Sequence, residues 1–205
     1  ELTIYEHTSA RDVAGRIAGC EIVYINKVRM TREIIEQADS LRFIGLLATG
    51  VDNVDLERFM GDWYVIASIP TVFEKNIYNA IERYEPQADG SVAMTYTNRL
   101  GGFDGTPKKM TPTGFPVEGS GNALWGIRFQ LPGTSIPWPF LYEYRLGHVE
   151  PDYSVMIVAR SKVDYLWLFA REPQMSDADY RRYAQMMAGW GYDTDKLARV
   201  PQRWP

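Results

Sequence analysis

Two hydrophobic rhythms divide the chain near residue 50. Before it, short apolar runs alternate with segments of helical spacing. Leu2-Thr3-Ile4-Tyr5 reads as a short strand, and Ser9 to Ile17 places Ala10, Val13, Ala14 and Ile17 on one helix face. A second strand covers Glu21 to Ile25. Thr31 can cap a helix bearing Ile34, Ile35, Ala38 and Leu41. Phe43 to Leu47 is a third strand, apolar on both faces as a buried parallel strand would be. The predicted order is βαβαβ. After Asp55 the period drops to two, and turn signals recur: Asp89-Gly90, Gly101-Gly102, Asp104-Gly105, Gly119-Ser120-Gly121, Pro132-Gly133 and Glu150-Pro151-Asp152. About eight antiparallel strands fit between them. One later stretch is helical: Ser176 caps it, Asp179 stands at its third position, Tyr180, Tyr183, Met187 and Trp190 share a face, and Gly191 can end it.

Composition narrows the classes. The 205 residues carry 22 Lys+Arg against 26 Asp+Glu, a net charge of −4, which argues against nucleic-acid binding. A single cysteine, Cys20, excludes an internal disulfide framework; with two histidines, His7 and His148, no metal site is expected. Thirteen Tyr, 8 Phe and 6 Trp need a large core or an apolar pocket. The longest uncharged run, Phe129 to Tyr142, is 14 residues broken by prolines, too short to span a membrane. Ile17-Ala18-Gly19-Cys20 has the form of a lipoprotein cleavage box, but Glu6, Arg11, Asp12 and Arg16 precede it where an apolar stretch belongs. A turn between helix and strand is the expectation there, with Cys20 a buried structural thiol. With no export signal in the chain as written, a cytoplasmic protein is expected.

The β half resembles the lipocalins. Gly61-Asp62-Trp63-Tyr64, after the short run Asn53 to Met60, matches a Gly-x-Trp at the start of the first barrel strand. Pro151-Asp152-Tyr153 stands where the family has Thr-Asp-Tyr, and Arg171 stands where it has an Arg closing the last strand. The helix that follows and the tail Val200 to Trp204 are similar to those of bacterial lipocalins. The resemblance covers about residues 52–205. It implies a mainly β fold: an eight-stranded antiparallel up-and-down barrel with a C-terminal helix, here preceded by the small βαβαβ fragment. It also implies a non-catalytic carrier of a small hydrophobic ligand, of the fatty acid or lysophospholipid class. The bacterial members are commonly lipoproteins, so an outer-membrane or periplasmic location and a partner at the membrane periphery enter as family expectations. Oligomeric state is left open.

A closed barrel removes its sheet edges and can hold one ligand. Trp63 would plug one end with Arg171 across its indole as a cation–π lid. Alternation back from Arg171 then names interior positions: Phe169, Trp167 and Tyr165; Val155, Ile157 and Ala159, with Arg160 outward; Tyr142, Tyr144, Leu146 and His148, with Glu143 and Arg145 outward; Trp125, Ile127 and Phe129, with Arg128 and Gln130 outward; and Val92, Met94 and Tyr96. From these, Met94, Tyr96, Trp125, Ile127, Phe129, Tyr144, Leu146, Ile157 and Trp167 are the candidate ligand contacts; Gly61, Trp63, Asp152, Tyr153 and Arg171 are structural. Positions near Trp63 read as filled core and the higher ones as a cup. Tyr78, Lys108 and Lys109 at the mouth would meet a head group or serve as solvated loop charges. No inward carboxylate pair shows in the alternation, so glycosidase chemistry has no support. A hydrolase would need His148, and no Gly-x-Ser-x-Gly elbow occurs.

Residues 1–55 resemble the start of D-isomer-specific 2-hydroxyacid dehydrogenases through Asn26-Lys27-Val28, Thr31-Arg32-Glu33, Ile44-Gly45 and Ala48 to Asp55. In that family the loop at Thr49-Gly50-Val51 borders the substrate. The rest of such an enzyme has no counterpart: Gly119-Ser120-Gly121-Asn122-Ala123-Leu124 fails the dinucleotide fingerprint at its sixth position. The family's catalytic Arg, Glu and His are missing, so no NAD or other cofactor is expected. Val51 to Glu57 suits both families, and a gene fusion or a sequence-assembly chimera there would join a truncated fragment, 1–50, to a barrel, 51–205. A filled barrel acting as an interaction module, or a dehydrogenase remnant without activity, are the alternatives to a carrier.

Overall fold

A computed structural model describes residues 2–26, 28, 30–46, 54–72, 74–131, 133–134 and 136–204, with the backbone alone for Leu46. The chain divides into two compact units, Glu1–Thr49 and Gly50–Pro205. Leu47, Pro132 and the stretch 48–53, which includes the Thr49-Gly50-Val51 loop and most of the shared junction string, lie outside the described residues.

The first unit holds α1 (Val13–Ile17), β1 (Ile22–Ile25), α2 (Arg32–Glu36) and β2 (Phe43–Leu46). β1 and β2 pair in parallel, Ile22 opposite Phe43. Thr31 caps α2 as expected, its hydroxyl accepting from Ile34 N at 3.4 Å. Gly19, at φ +76°, turns the chain between α1 and β1, which is the turn reading of the cleavage-box string. Three expectations are corrected. Leu2–Tyr5 forms no strand, and Leu2 and Ile4 are 82% and 79% exposed, since neither gains a neighbouring strand to pair with. Phe43, at 51% exposure, is not part of a buried sheet face, because only one helical cluster (Val13, Ile17 and Ala38) covers this small sheet. Cys20 is half-buried, its thiol directed at the Arg16 carbonyl at 3.6 Å.

The second unit opens with α3 (Leu56–Phe59), capped by Asp55, whose Oδ1 accepts from Glu57 N and Arg58 N. The barrel strands are β3 (Gly61–Ile69), β4 (Ile77–Pro86), β5 (Val92–Leu100), β6 (Thr106–Met110), β7 (Thr113–Pro116), β8 (Leu124–Arg128), β9 (Tyr142–Val149), β10 (Val155–Ala159) and β11 (Leu166–Ala170). β6 and β7 both pair with β5, so they are one strand interrupted at Thr111-Pro112, and the barrel has the expected eight. β11 returns antiparallel to β3, from Leu166 opposite Ile69 to Ala170 opposite Tyr64, and closes it. α4 (Asp177–Gly189), capped by Ser176 on Asp179 N, lies over the outer face, and β12 (Ala198–Arg199) adds to β3 beyond the closed path.

Two apolar clusters line the wall. Trp63, Val65, Met94, Tyr96, Trp125, Ile127, Tyr144, Leu146, Met156, Val158 and Phe169 fill the interior one. Ile66, Ile157, Ala159, Leu166, Leu168, Tyr183 and Met187 form the outer one, beneath α4. Ile157 therefore faces the helix and not the barrel interior, as do Val155 and Ala159. Both faces of β10 are apolar because both are covered, so alternation could not choose between them. His148 is corrected for a different reason. Ile157 pairs with His148 but Val158 with Leu146, which makes Gly147 an extra residue in β9. That bulge sends His148 outward, 3.3 Å from Glu150 Oε1 and beside the Tyr183 ring, and turns Val149 inward. A Cβ at Gly147 would meet the Trp190 ring at 3.1 Å, so glycine also admits the helix end here.

Candidate functional site

The closed end of the barrel is a packed floor. Trp63 is fully buried and donates Nε1–H to the Phe59 carbonyl at 2.8 Å. Phe59 stands 4.9 Å from Tyr84 and 5.3 Å from Trp125, edge-on to both, and Trp125 stacks on Tyr144 at 5.9 Å. The Arg171 guanidinium lies 3.8 Å from the Trp63 ring centre, which is the anticipated cation–π contact. It also donates to the carbonyls of Asp62, Arg58, Phe59 and Met60, so one side chain gathers α3 and the start of β3. Gly61 sits at φ +94°, a conformation that favours glycine, directly under that guanidinium. Asp152 accepts from Ser154 N and Oγ to fix its turn, and the Tyr153 hydroxyl accepts from Asp55 N at 2.7 Å. The five signature residues thus meet at one end as structural groups.

Met94, Trp125, Ile127, Tyr144 and Leu146 are all buried just above or within this floor. Packing is tight there: a Cβ at Gly114 would stand 2.8 Å from the Trp125 ring and 3.3 Å from Met94 Sδ. Tyr96, Phe129 and Trp167 pack against the same cluster, with Phe129 and Trp167 only half-buried. Eight of the nine candidate contacts therefore share the interior, and Ile157 does not.

The interior also holds what alternation missed, a pair of buried carboxyls. β4 carries an irregularity between Tyr78 and Ile81, where Asn79 has φ +47°. Beyond it Ala80, Glu82 and Tyr84 face in, while Tyr78 packs on Phe103 at 5.0 Å. Glu82 is paired across the strands with Trp63 on one side and Tyr96 on the other, and Tyr96 in turn with Met110, so the four share one face. Glu74, in the loop between β3 and β4, is buried too. Its Oε1 accepts from Trp167 Nε1 at 2.7 Å, and its Oε2 from Thr71 N and Oγ1. Burial pushes the Glu82 carboxyl up to about 8, against the hydroxyls of Tyr84 and Tyr144 beside it, and the charge of Glu74 adds to the rise. Those two hydroxyls hydrogen-bond each other, and burial raises both phenols. The spacing Ala80-x-Glu82-x-Tyr84 was a readable signal for the inward Glu82; Glu74 sits in a loop and gave none.

Lys108 and Lys109 are exposed, opposite Asn98 and Thr97 respectively, and border a surface groove of about 530 Å³ that also includes Trp204. Tyr78 does not line that groove. Among the described residues no group of three His, Cys, Asp or Glu is placed to hold a metal, and no helix is long and apolar enough to cross a membrane.

The family model of the lipocalin-like domain matches residues 54–202. The chain belongs to the lipocalin-like family. Temperature-induced lipocalin-1 of Arabidopsis thaliana is 30% identical over 157 residues, covering 74% of this chain and 81% of that protein. The outer membrane lipoprotein Blc of Escherichia coli K12 is 26% identical over 75% of this chain and 82% of its own. Among solved structures, insecticyanin from the tobacco hornworm superposes with TM-score 0.58 at 12% identity, covering 75% of this chain and 83% of its own, which speaks for the barrel fold alone. The lipocalin fold and the Blc relatives support binding of a small hydrophobic ligand. A second model, the catalytic domain of D-isomer-specific 2-hydroxyacid dehydrogenases, matches residues 1–72. Hydroxypyruvate reductase of Blautia hydrogenotrophica is 40% identical over 74 residues, of which this chain spans only 23%. That match runs past the expected end near residue 55 and through β3, so the two families overlap on residues 54–72.

Proposed function

We propose that the barrel binds, and carries or stores, a small ligand with one apolar chain, of the fatty acid or lysophospholipid class, without turning it over. The observation that carries this reading is the interior itself: aromatic and aliphatic side chains from every barrel strand but the interrupted β6–β7 converge on a floor sealed by Trp63 and Arg171. Above that floor, Tyr96, Phe129 and Trp167 offer contact to a chain, and Met94, Trp125, Ile127, Tyr144 and Leu146 form its base. Removing an acyl chain from water is favourable by about 25 cal/mol per Å² before ordering costs. A lipid cargo also fits a partner at the membrane periphery. Residues 1–50 are read as a fused fragment of dehydrogenase ancestry that supplies no hydride transfer. The test is a titration of the full chain with a fluorescent fatty acid, competed with lysophospholipid. Saturable one-to-one binding is expected, weakened about tenfold or more by Trp167→Ala, with no oxidation of NADH on adding 2-oxo acids. An absence of saturable binding would overturn the carrier reading.

A further inference from the structure

The two ends of the barrel differ in what they show to solvent. β3 leaves the floor at Gly61, so the loops 70–76, 101–105, 129–141 and 160–165 lie at the opposite, open end. The longest uncharged run of the chain, Phe129 to Tyr142, falls there. It begins as a narrow hairpin: Gln130 pairs with Pro137, Leu131 N donates to the Ile136 carbonyl at 2.8 Å, and Trp138 N donates to the Phe129 carbonyl at 2.7 Å. Ile136, Phe140 and Leu141 on this segment are exposed, Phe140 by 64%. Val163, in the loop after β10, and Val72, in the loop after β3, are exposed too, Val72 by 71%. β9, β10, β11 and β3 are successive neighbours in the sheet, so these three loops follow one another round the rim. Among the described residues, the loops at the floor end expose a single large apolar side chain, Val117. Exposed apolar side chains gathered in one place mark a surface that meets a partner or a membrane.

The same rim is basic. Its loops hold three carboxyls: Glu74 is buried, Asp104 pairs with Arg203 at 3.5 Å, and Asp164 pairs with Arg160 at 3.2 Å. Lys75 and Lys162 in these loops, and Lys108 and Lys109 on β6, are exposed and form no salt bridge among the described residues. A chain of net charge −4 thus keeps unanswered cations beside its most exposed apolar side chains. We propose that this rim docks on the surface of an anionic lipid bilayer. Ile136, Phe140, Leu141, Val72 and Val163 enter the interfacial layer, and the four lysines meet the head groups. Apolar side chains gain by leaving water, and lysines gain within a screening length of anionic lipid. A segment this short, folded back on itself, can enter an interface but not cross it. Charge also decides against a second copy of the chain, since a two-fold contact here would set the same lysines against one another. The docking gives the membrane-periphery partner of the carrier reading a surface, and needs no ligand in the barrel. A mouth held against lipid lets cargo pass without crossing water.

The experiment is co-sedimentation of the full chain with phosphatidylcholine vesicles, plain or containing about 30% phosphatidylglycerol. The anionic vesicles are expected to bind about tenfold tighter than the neutral ones at about 0.1 M salt, and the difference should vanish at about 1 M. Ile136→Asp combined with Phe140→Asp should weaken binding to anionic vesicles by about tenfold or more. Val117→Asp, at the other end, should leave it unchanged. Lys75→Glu combined with Lys162→Glu should remove the preference for anionic lipid. All five positions are exposed, so each variant should keep the parent's thermal transition. The inference is overturned if the parent does not bind anionic vesicles, or if the rim variants bind them as the parent does, which would place the contact elsewhere on the chain. It is overturned also if the parent sediments as a dimer that Phe140→Asp takes apart, because the rim would then be a contact between copies. Uptake of the fluorescent fatty acid is read separately. Vesicle binding without uptake keeps the docking and removes the carrier; uptake without vesicle binding does the reverse.

Discussion

The two units of this chain carry comparable sequence likeness to their families and bury it very differently. In Gly50–Pro205 the sheet closes on itself, one face fills the interior and α4 covers part of the other, so large side chains from nearly every strand disappear from solvent. In Glu1–Thr49 two parallel strands leave Ile22, Tyr24 and Phe43 exposed, over a core of Val13, Ile17 and Ala38. Parallel sheets require layers on both faces. This chain spans less than a quarter of the dehydrogenase relative that the unit resembles. The local elements form all the same, the Thr31 cap and the β1–β2 register among them, with little packed against their exposed side chains.

That contrast can be broken most directly at the floor of the barrel. Trp63→Ala removes a fully buried indole and the partner of Arg171, and should lower barrel stability by about 3–5 kcal/mol in urea unfolding. Limited proteolysis of the same protein should cut first within Glu1–Thr49 and leave a resistant fragment spanning the barrel. Lasting protection of the first unit would erase the distinction. A second effect separates the units by pH. The Glu82 proton is held up to about 8 in the fold but lost near the ordinary carboxylate value when unfolded. Between those values the native state binds more protons, so stability falls as pH rises from about 4.5 to about 8, by a few kcal/mol at most. Glu82→Gln should flatten that slope in the barrel's melting curve. The smallest change, Thr31→Ala, should cost about 1 kcal/mol or less, visible as faster amide exchange in α2 with no shift in the barrel transition.

Much of this was legible before any coordinates. Turn signals marked the strand boundaries, and the Gly-x-Trp and closing Arg lie where spacing put them. Interior faces were readable wherever one side of a strand met water, as at Trp125, Ile127, Met94 and Tyr96. They were unreadable on β10, where helix and interior are equally apolar and Ile157 was assigned to the wrong side. The bulge at Gly147 reversed His148, because a single inserted residue inverts every side chain after it. Glu74 was invisible for another reason: its burial comes from a loop folding back to Trp167, a contact across 93 positions that no local pattern encodes.

The Arg171 contacts bear on how the barrel assembles. Its guanidinium joins the end of the last barrel strand to a carbonyl 109 residues earlier. Closing so long a loop carries a large entropic penalty. On that ground the seam between β11 and β3 is expected to close late in folding, so that removing the Arg171 guanidinium should speed unfolding more than it slows folding.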